Sequence, residues 1–382
     1  MYIIYDDFYL KHFTGPSHVE NAGRLAAIVA AIKKSSLFKD LNFCRPNKAG
    51  TNQVCLVHDP AYVAKIEALS KDAGKFDYNM LFNIDADTVV SKYTYESAML
   101  AAGAGISGID MLFGGKGGNI FFALVRPPGH HAFKDSGGGF CIFNNIAIAA
   151  AYSIENYGLK RIAIIDFDVH HGNGTQDIFY EDDRVLYISL HQYPHYPGTG
   201  DWRENGVRKG EGFNLNIPLA ANSNENDYIY AVNEIILPVL ERFNPELLLF
   251  SAGYDAHKDD PLSLINLEDD SYKKIMGLIL KGRRQLTAGK NSNNMAAGNN
   301  DKSIPGGFKT GIILEGGYNY EATARSVLKT ISGCLEIPGV RGFSGSCQVE
   351  RNSGGKTVSA AEDGLNACNL KNFNNIKKLF AI

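Results

Sequence analysis

The sequence predicts an α/β fold of three layers, in which helices flank a central, mainly parallel sheet. Five short apolar runs alternate with longer segments of helical periodicity, and the runs span 120–125, 162–165, 185–190, 247–250 and 312–314. Strands that are apolar on both faces are typical of a parallel sheet buried between helices. Each run leads into a polar, glycine-rich stretch, and in open α/β sheets binding sites form beyond the carboxyl ends of the strands. We therefore expect the five strand ends to converge on one pocket.

Seven segments between and around these runs carry the helical pattern, at about 20–35, 60–71, 95–113, 143–156, 226–242, 270–288 and 321–334. No internal repeat and no domain boundary is recognisable, so we expect one domain over residues 1–382. The Asn- and Gly-rich stretch 289–307 predicts a mobile loop. Residues 343–382 predict a peripheral tail, in which the last residues, from Phe373 onward, form a short docking helix.

The composition excludes several classes of protein. The 382 residues are 45% hydrophobic and 21% charged, with a net charge of −3, which gives no indication of nucleic-acid or membrane binding. No apolar stretch approaches the ~18 residues of a membrane span, and the acidic start does not resemble a signal peptide. Six scattered cysteines without a CxxC pair indicate a reducing compartment. We expect a cytoplasmic protein, with the oligomeric state, including a homo-oligomer, left open.

The most informative segment is IAIIDFDVHHGNG at 162–174. A buried strand does not end in two carboxylates and two imidazoles unless they bind something. Asp168 and His170 are two residues apart, so on an extended segment their side chains face the same way. Asp255, after another strand, is a candidate third ligand. Two carboxylates and one imidazole suit Zn²⁺ with an open position for water, although Fe²⁺ accepts the same donors and helix caps or turns are the structural alternative.

The other strand ends carry candidate catalytic groups. His130 and His131, in VRPPGHH, can supply the base and the acid of a metal-assisted hydrolysis. Asp166 and Asn173 are candidate partners that would set the tautomers of these imidazoles. Tyr318 follows two glycines, which let the backbone approach the pocket, and its phenol can donate to a developing oxyanion.

Two further features concern the surroundings of this pocket. Phe140 and Tyr196 lie in glycine-rich loops at strand ends and predict the walls of a narrow apolar channel, with ordinary core aromatics as the alternative. The Asp166 carboxylate, with Ser189 and nearby backbone carbonyls, offers the oxygen-only coordination that suits a monovalent cation.

Taken together, these motifs resemble the zinc-dependent histone deacetylase family of the arginase–deacetylase superfamily, which includes acetylpolyamine and acetoin-utilisation relatives. The matching segments follow the family order over roughly residues 1–340, and they are HVENAGRL (18–25), RPPGHHA (126–132), GGFCIFNN (138–145), DFDVHHGNGTQDIF (166–179), SLHQYPHYPGTG (189–200), SAGYDAHKDDPL (251–262) and LEGGYN (314–319). The combination is highly specific, whereas a HisHis pair or an Asp-x-Asp motif alone is not.

The resemblance implies an arginase-like fold and a set of site residues. It implies one zinc ion bound by Asp168, His170 and Asp255, with His130, His131, Asp166 and Tyr318 as the catalytic groups. Gly139, Phe140 and Tyr196 would flank an acyl-lysine tunnel, and Asp85 would hold the substrate backbone at its rim. Structural potassium is implied at Asp166, Asp168, His170, Ser189 and Leu190, and a second potassium ion at Phe179, Asp182, Val185 and Phe213.

Details of the motifs are more similar to class II enzymes and their prokaryotic relatives than to class I. Asn173 and the residues of the segments at 251–262 and 314–319 are class II features. Tyr318 occupies the position at which class IIa enzymes carry histidine. Leu262 occupies the position of the glutamate gatekeeper of the polyamine-specific enzyme, which favours an acyl-lysine stem. One departure is His18-Val19-Glu20-Asn21-Ala22, where the family has HPE-x-P, so the shape of the entrance loop is not implied.

We therefore expect a zinc amidohydrolase that removes acetyl, or another short acyl group, from an amine, with the lysine side chain as the expected substrate. An acetylpolyamine or a small-metabolite amide is the alternative substrate. A binuclear manganese ureohydrolase is disfavoured because His257 and Lys258 follow Asp255 where a further metal-binding aspartate would be needed. A silent acyl-lysine-binding module is disfavoured because every catalytic position carries a competent residue.

Overall fold

The computed structural model describes residues 1–76, 80–115, 118–297, 309–338, 340 and 364–382, with residues 285–297 described by their backbone alone. Eight strands form one sheet in which every neighbouring pair runs parallel, in the order β2-β1-β5-β10-β9-β6-β7-β8. They are β1 (Tyr2–Ile4), β2 (Asn42–Cys44), β5 (Ile120–Ala123), β6 (Ile162–Asp166), β7 (Val185–Gln192), β8 (Asn214–Leu219), β9 (Leu247–Ala252) and β10 (Lys309–Leu314). A separate antiparallel pair joins β3 (Phe82–Asn83) to β4 (Val89–Val90).

Helices flank this sheet, and their bounds are α1 (Ala22–Lys34), α2 (Thr51–Val54), α3 (Pro60–Ala73), α4 (Thr94–Phe113), α5 (Asn145–Tyr157), α6 (Asn173–Phe179), α7 (Glu225–Ala231), α8 (Leu237–Phe243), α9 (Asp269–Ala297), α10 (Tyr320–Leu335) and α11 (Ala367–Leu379). Helices α4 and α5 pack on each other and on central strands, while α1, α10 and α9 pack side by side. The predicted α/β class with a central parallel sheet is confirmed. None of the helices in the described ranges combines the length and apolar character needed to cross a bilayer.

Local chemistry explains where several helices begin. Asn21, Asn144 and Asn319 each accept a hydrogen bond from a backbone amide of the first helical turn of α1, α5 and α10. Asp59 does the same for α3, whose first residue is Pro60. A side-chain oxygen satisfies an amide that the helix itself leaves without a partner, and proline fits the first helical position because its missing N–H is not needed there.

Three predicted segments differ from the structure. The helix predicted at 226–242 is interrupted by a π-helical turn over Val232–Ile236, directly before α8, which carries Pro238 in its first turn; proline supplies no amide for the regular helical pattern. The loop predicted at 289–307 is helical as far as Ala297, because α9 continues well beyond residue 288; residues 298–307 lie outside the described ranges. The short docking helix predicted from Phe373 onward is present as α11, but it begins earlier, at Ala367, and it buries Phe373 and Ile376.

The register of the strands places all five polar segments at one end of the sheet. Ala123, Ile313, Ser251, Asp166 and Ser189 lie side by side at the same level of adjacent strands. Because these strands are parallel, the residues that follow this level emerge together at the carboxyl edge, where parallel sheets form their sites. The sheet itself therefore brings the five motifs together.

Candidate active site

Three buried donor groups meet at this edge. Asp168 and His170 follow β6, Asp255 follows β9, and one ligand atom of each lies within 4.8 Å of the others. The Nδ1 atom of His170 is 3.1 Å from Asp168 Oδ1 and 3.2 Å from Asp255 Oδ2. Donor atoms bound about 2.0–2.1 Å from a tetrahedral zinc ion lie roughly 3.3 Å from one another, so the observed spacing fits such an ion.

Backbone amides orient the two carboxylates of this triad. Asp168 Oδ2 accepts from the Gly316 amide at 2.8 Å, and Asp255 Oδ1 accepts from the Val169 amide at 2.9 Å. Asp255 Oδ2 lies beside His170 but accepts no hydrogen bond from any described residue. Burial, reinforced by the charge of Asp168, raises the pKa of Asp255 to about 7. A buried carboxylate oxygen that has no hydrogen-bond partner and lies close to a second carboxylate is what a cation would satisfy.

Glycine makes the close approach of the strands possible. A side chain at Gly316 would overlap the carboxylates of both Asp255 and Asp168, and one at Gly253 would overlap Asp168. The two glycines therefore let β9 and β10 converge on the segment after β6, and only a residue without Cβ fits there.

The two adjacent histidines have different partners and different charge states. His130 Nδ1 lies 3.0 Å from Asp166 Oδ2, and His131 Nδ1 lies 2.8 Å from Asn173 Oδ1. Burial opposes a charge on His130, but Asp166 and Asp168 outweigh burial and raise the pKa of His130 to about 10. Burial and the neighbouring positive charge of His130 hold the pKa of His131 well below its usual value. The pair therefore combines an imidazolium with a neutral imidazole.

Tyr318 is held against a buried arginine. The guanidinium of Arg24 lies over the Tyr318 ring, 4.8 Å from its centroid, and Arg24 also donates to the Gly317 and Glu315 carbonyls at 2.6 Å each. The amide of Tyr318 donates to Asp260 Oδ2 at 2.6 Å. Burial raises the pKa of Tyr318 well above its usual value, so the phenol stays protonated and can donate a hydrogen bond.

Aromatic rings surround the approach to the triad. The ring of Phe140 packs edge-on against Tyr318, with centroids 5.7 Å apart, and Tyr196 packs edge-on against His131 at 5.2 Å. Gly139 and Phe140 both have positive φ angles, 52° and 69°, and the Phe140 amide is fixed by Thr88 Oγ1 at 2.9 Å. This left-handed turn projects the Phe140 ring toward Tyr318, and Tyr196 remains 44% exposed, as expected for a ring at an entrance.

The predicted rim residues lie on loops beside these rings. Asp85 is exposed, and its Oδ1 accepts from the adjacent Ala86 amide at 2.6 Å. Leu262 is half-buried, and its carbonyl accepts from His195 Nε2 at 2.9 Å. The His195 ring stacks on His170 with centroids 5.2 Å apart. A groove of about 480 Å³ is lined by Tyr318, His18 and Tyr320, among others, but by none of the triad.

The residues of the first predicted potassium site also lie together. Asp166 and Ser189 are partners in the register of β6 and β7, and Leu190 follows directly. Ser189 Oγ lies 2.9 Å from His191 Nδ1, and Tyr187 donates to Asp166 Oδ2 at 3.0 Å.

Three residues of the second predicted potassium site, Phe179, Asp182 and Val185, form a backbone turn that leads into β7, and the fourth, Phe213, directly precedes β8. The Asp182 amide donates to the Phe179 carbonyl at 3.0 Å, the Val185 amide lies 3.4 Å from the Asp182 carbonyl, and the Phe213 carbonyl accepts from Tyr187. The Asp182 carboxylate is paired with Arg184 at 2.6 Å, so carbonyl oxygens are what this turn offers a cation.

Four buried charged residues at the site were missed by the sequence reasoning. The Glu20 carboxylate forms an ion pair with Arg24 at 2.9 Å and a second one with Arg126, in which both of its oxygens accept hydrogen bonds. Glu315 accepts hydrogen bonds from backbone amides of the turn that carries the two histidines. All four lie inside the motifs HVENAGRL, RPPGHHA and LEGGYN. Charged side chains are almost never fully buried unless paired, so the available signal was the presence of a charged residue inside each of these motifs.

Comparison with known proteins identifies the family. The protein-family model described as "Histone deacetylase domain" matches residues 18–334 of this chain. The chain belongs to the histone deacetylase family. A "Probable deacetylase" of Archaeoglobus fulgidus is 40% identical over 276 residues, which cover 72% of this chain and 74% of that protein. A "Histone deacetylase-like amidohydrolase" of Pseudomonas aeruginosa is 35% identical over 274 residues, which cover 72% and 70%.

Plant proteins and a solved structure extend this similarity. "Histone deacetylase 10, chloroplastic" of Oryza sativa subsp. japonica is 35% identical over 350 residues, 87% of this chain and 74% of that protein. The crystal structure of HDA15 HD domain superposes with a TM-score of 0.80 at 28% identity, and covers 99% of this chain and 93% of that one. The predicted family and fold are confirmed, and membership supports a hydrolase of the deacetylase and amidohydrolase type. Because one of these relatives is chloroplastic, the cytoplasmic location stays a prediction.

Proposed function

We propose that this chain is a zinc-dependent deacetylase that removes acetyl, or another short acyl group, from lysine side chains of peptides. The observation that carries the proposal is the juxtaposition of the buried Asp168, His170 and Asp255 triad with a charged–neutral histidine pair and a protonated tyrosine. A Zn²⁺ ion on the triad would supply a Lewis acid and an activated water. The further proposal that structural potassium binds near Asp166 and Ser189 rests on the side-by-side placement of these oxygens.

The histidine pair moves the protons in this proposal. Asn173 Oδ1 accepts from His131 Nδ1–H, which leaves His131 Nε2 as an acceptor. His131 therefore takes a proton from the attacking water and returns it to the departing amine. His130, kept cationic by Asp166, contributes positive charge where negative charge develops.

Tyr318 and the entrance residues act on the substrate itself. The phenol donates to the carbonyl oxygen of the acyl group, and this bond strengthens as the oxygen becomes negative. Phe140 and Tyr196 supply apolar walls for a lysine stem, and Asp85 accepts from the backbone of a bound peptide. Leu262 favours an uncharged stem over a polyamine, which would bring a second positive charge into the entrance.

Acetate release from an acetyl-lysine peptide, an acetylpolyamine and a small acetylated amine tests this proposal. We expect the peptide to be turned over fastest, and Tyr318→Phe to lower kcat by about 10²–10³ while zinc content is unchanged. Tyr320→Phe is the matched control, because this exposed tyrosine bonds Asn21 through its hydroxyl and lies outside the proposed chemistry. Unchanged turnover in Tyr318→Phe, or no turnover of any of the three substrates by the zinc-loaded chain, would contradict the assignment.

A further inference from the structure

Glu315 is a fully buried carboxylate directly after β10, outside the metal triad and outside the proton-transfer steps. Its Oε2 atom accepts from the Gly129 amide at 2.6 Å and from the His130 amide at 3.2 Å. These two amides belong to the turn that carries both histidines. One carboxylate oxygen therefore ties the end of β10 to the histidine turn, which follows β5.

The four residues that begin with Glu315 contact the histidine turn, one triad carboxylate and Arg24. The Gly316 amide donates to Asp168, and Arg24 donates to the carbonyls of Glu315 and Gly317 while it lies over the Tyr318 ring. Glu315 thus joins the histidine turn to the segment that orients both a triad carboxylate and the tyrosine.

The buried position of Glu315 lowers the stability of the folded protein. Its Oε1 atom is buried and has no hydrogen-bond partner among the described residues. Burial raises the pKa of Glu315 to about 7, against the lowering effects of the His130 charge and the Gly129 amide. A buried acid with one unpartnered oxygen costs stability that an apolar side chain would not cost. A position that carries this cost beside reacting groups is expected to serve the reaction.

We propose that Glu315 is a positioning residue, which holds the histidine turn in register with Tyr318 so that His131 and the phenol face the same substrate carbonyl. This inference rests on the proposed function. Above its pKa of about 7 the ionised carboxylate accepts shorter and stronger hydrogen bonds than a neutral amide does, so at such pH it fixes the turn better than glutamine would. Displacing a catalytic group by about 1 Å can cost about 10²-fold in rate.

The test compares Glu315→Gln with Glu246→Gln. Glu246 is a matched control because its Oε2 also accepts two successive backbone amides, those of Lys160 at 2.6 Å and Arg161 at 2.9 Å. That contact lies at the amino end of β6, remote from the site. Glu246 differs in being only half-buried. We expect Glu315→Gln to lower kcat on the acetyl-lysine peptide by about 10- to 100-fold, and Glu246→Gln to leave it within about twofold.

The division of the effect between kcat and KM separates positioning from general damage. Glu315 does not contact the residues proposed to hold the peptide, so KM should stay within about twofold while kcat falls. Glu315→Asp keeps the charge but shortens its reach by one methylene, and we expect an intermediate kcat. Zinc content and the far-ultraviolet circular dichroism of both variants should match those of the wild type.

Each outcome decides the inference. Wild-type kcat in folded Glu315→Gln and Glu315→Asp overturns it, as does an equal loss in Glu246→Gln. Failure of both Glu315 variants to fold also overturns it, because Glu315 would then serve the stability of the fold. Absence of deacetylation by the wild-type chain refutes the proposed function instead, so the two failures are distinguishable.

Discussion

Replacing Arg24 by methionine tests how the tyrosine segment is held. Arg24 is almost completely buried and donates to three acceptors, the carbonyls of Gly317 and Glu315 and the carboxylate of Glu20. Its guanidinium also packs on the ring of Tyr318. Methionine has a similar length, so it fills most of the space and removes the charge and the donors.

The expected loss of stability depends on which charged groups still have a partner after Arg24 is replaced. Breaking a buried ion pair costs about 3–5 kcal/mol when one charge is left alone. Glu20 remains paired with Arg126 through both carboxylate oxygens, so the loss lies at the lower end of that range. We expect the free energy of unfolding to fall by about 3 kcal/mol. Turnover should fall by about 10²-fold, because the Tyr318 ring loses the group that orients it.

Urea unfolding and acetate release, both measured on the zinc-loaded protein, check these two numbers. The control is Arg203→Met, which removes an exposed ion pair with Asp201 and should change the unfolding free energy by no more than about 0.5 kcal/mol. If Arg24→Met unfolds within about 1 kcal/mol of the wild type, or deacetylates at the wild-type rate, the role assigned to Arg24 is wrong.

Three further predictions concern pH, specificity and the tail. His58 Nε2 accepts the Asn144 amide at 2.8 Å, and burial lowers the pKa of His58 from 6.5 to about 4, so the stability that this neutral imidazole contributes above pH 6.5 is lost as the pH falls toward 4. In urea unfolding at several pH values, His58→Gln should reduce the slope of the unfolding free energy against pH, between pH 6.5 and 4, by up to about 1.4 kcal/mol per pH unit, and an unchanged slope would refute this. Leu262→Glu should raise the ratio of acetylpolyamine to acetyl-lysine turnover, and a constant ratio would exclude Leu262 as the gatekeeper. Phe373→Ala, which removes a buried ring stacked on Tyr230 at 5.1 Å, should cost about 3–5 kcal/mol in urea unfolding, against about 0.5 kcal/mol or less for the exposed Leu379→Ala; similar values for both would show that α11 is not part of the core.

The central strands were predictable because nearly all of their residues are apolar. β5, β6, β7, β9 and β10 are buried on both faces and read as apolar runs that end in polar motifs. The same logic predicted that their ends converge, since parallel strands in register share one carboxyl edge. Five polar motifs and one pocket follow from that arrangement.

The edge strands escaped prediction for a physical reason. β8 reads NLNIPL, with two asparagines and a proline, and proline is tolerated because β8 lies at the edge of the sheet. The side chains of Asn214 and Asn216 donate to Gln176 of α6, a contact that no local pattern shows. β2 forms the other edge and is only three residues long.

Among the contacts within the site, some could be predicted from the sequence and others could not. The Asp166 and Asn173 contacts of the histidines could be predicted because these residues lie in one motif that packs beside another. The contact of Glu315 with the histidine turn joins residues 185 and more positions apart, and only the strand order brings them together. Composition and spacing carry no information on such a contact.

Stepwise restoration of zinc to the metal-depleted chain tests the central claim most directly. Acetate release from an acetyl-lysine peptide should be abolished by chelation, rise in proportion to added Zn²⁺ and reach its plateau at one ion per chain, with Asp255→Ala neither binding the ion tightly nor recovering activity. Activity that survives chelation, or a plateau that requires two manganese ions per chain together with urea release, would contradict the account.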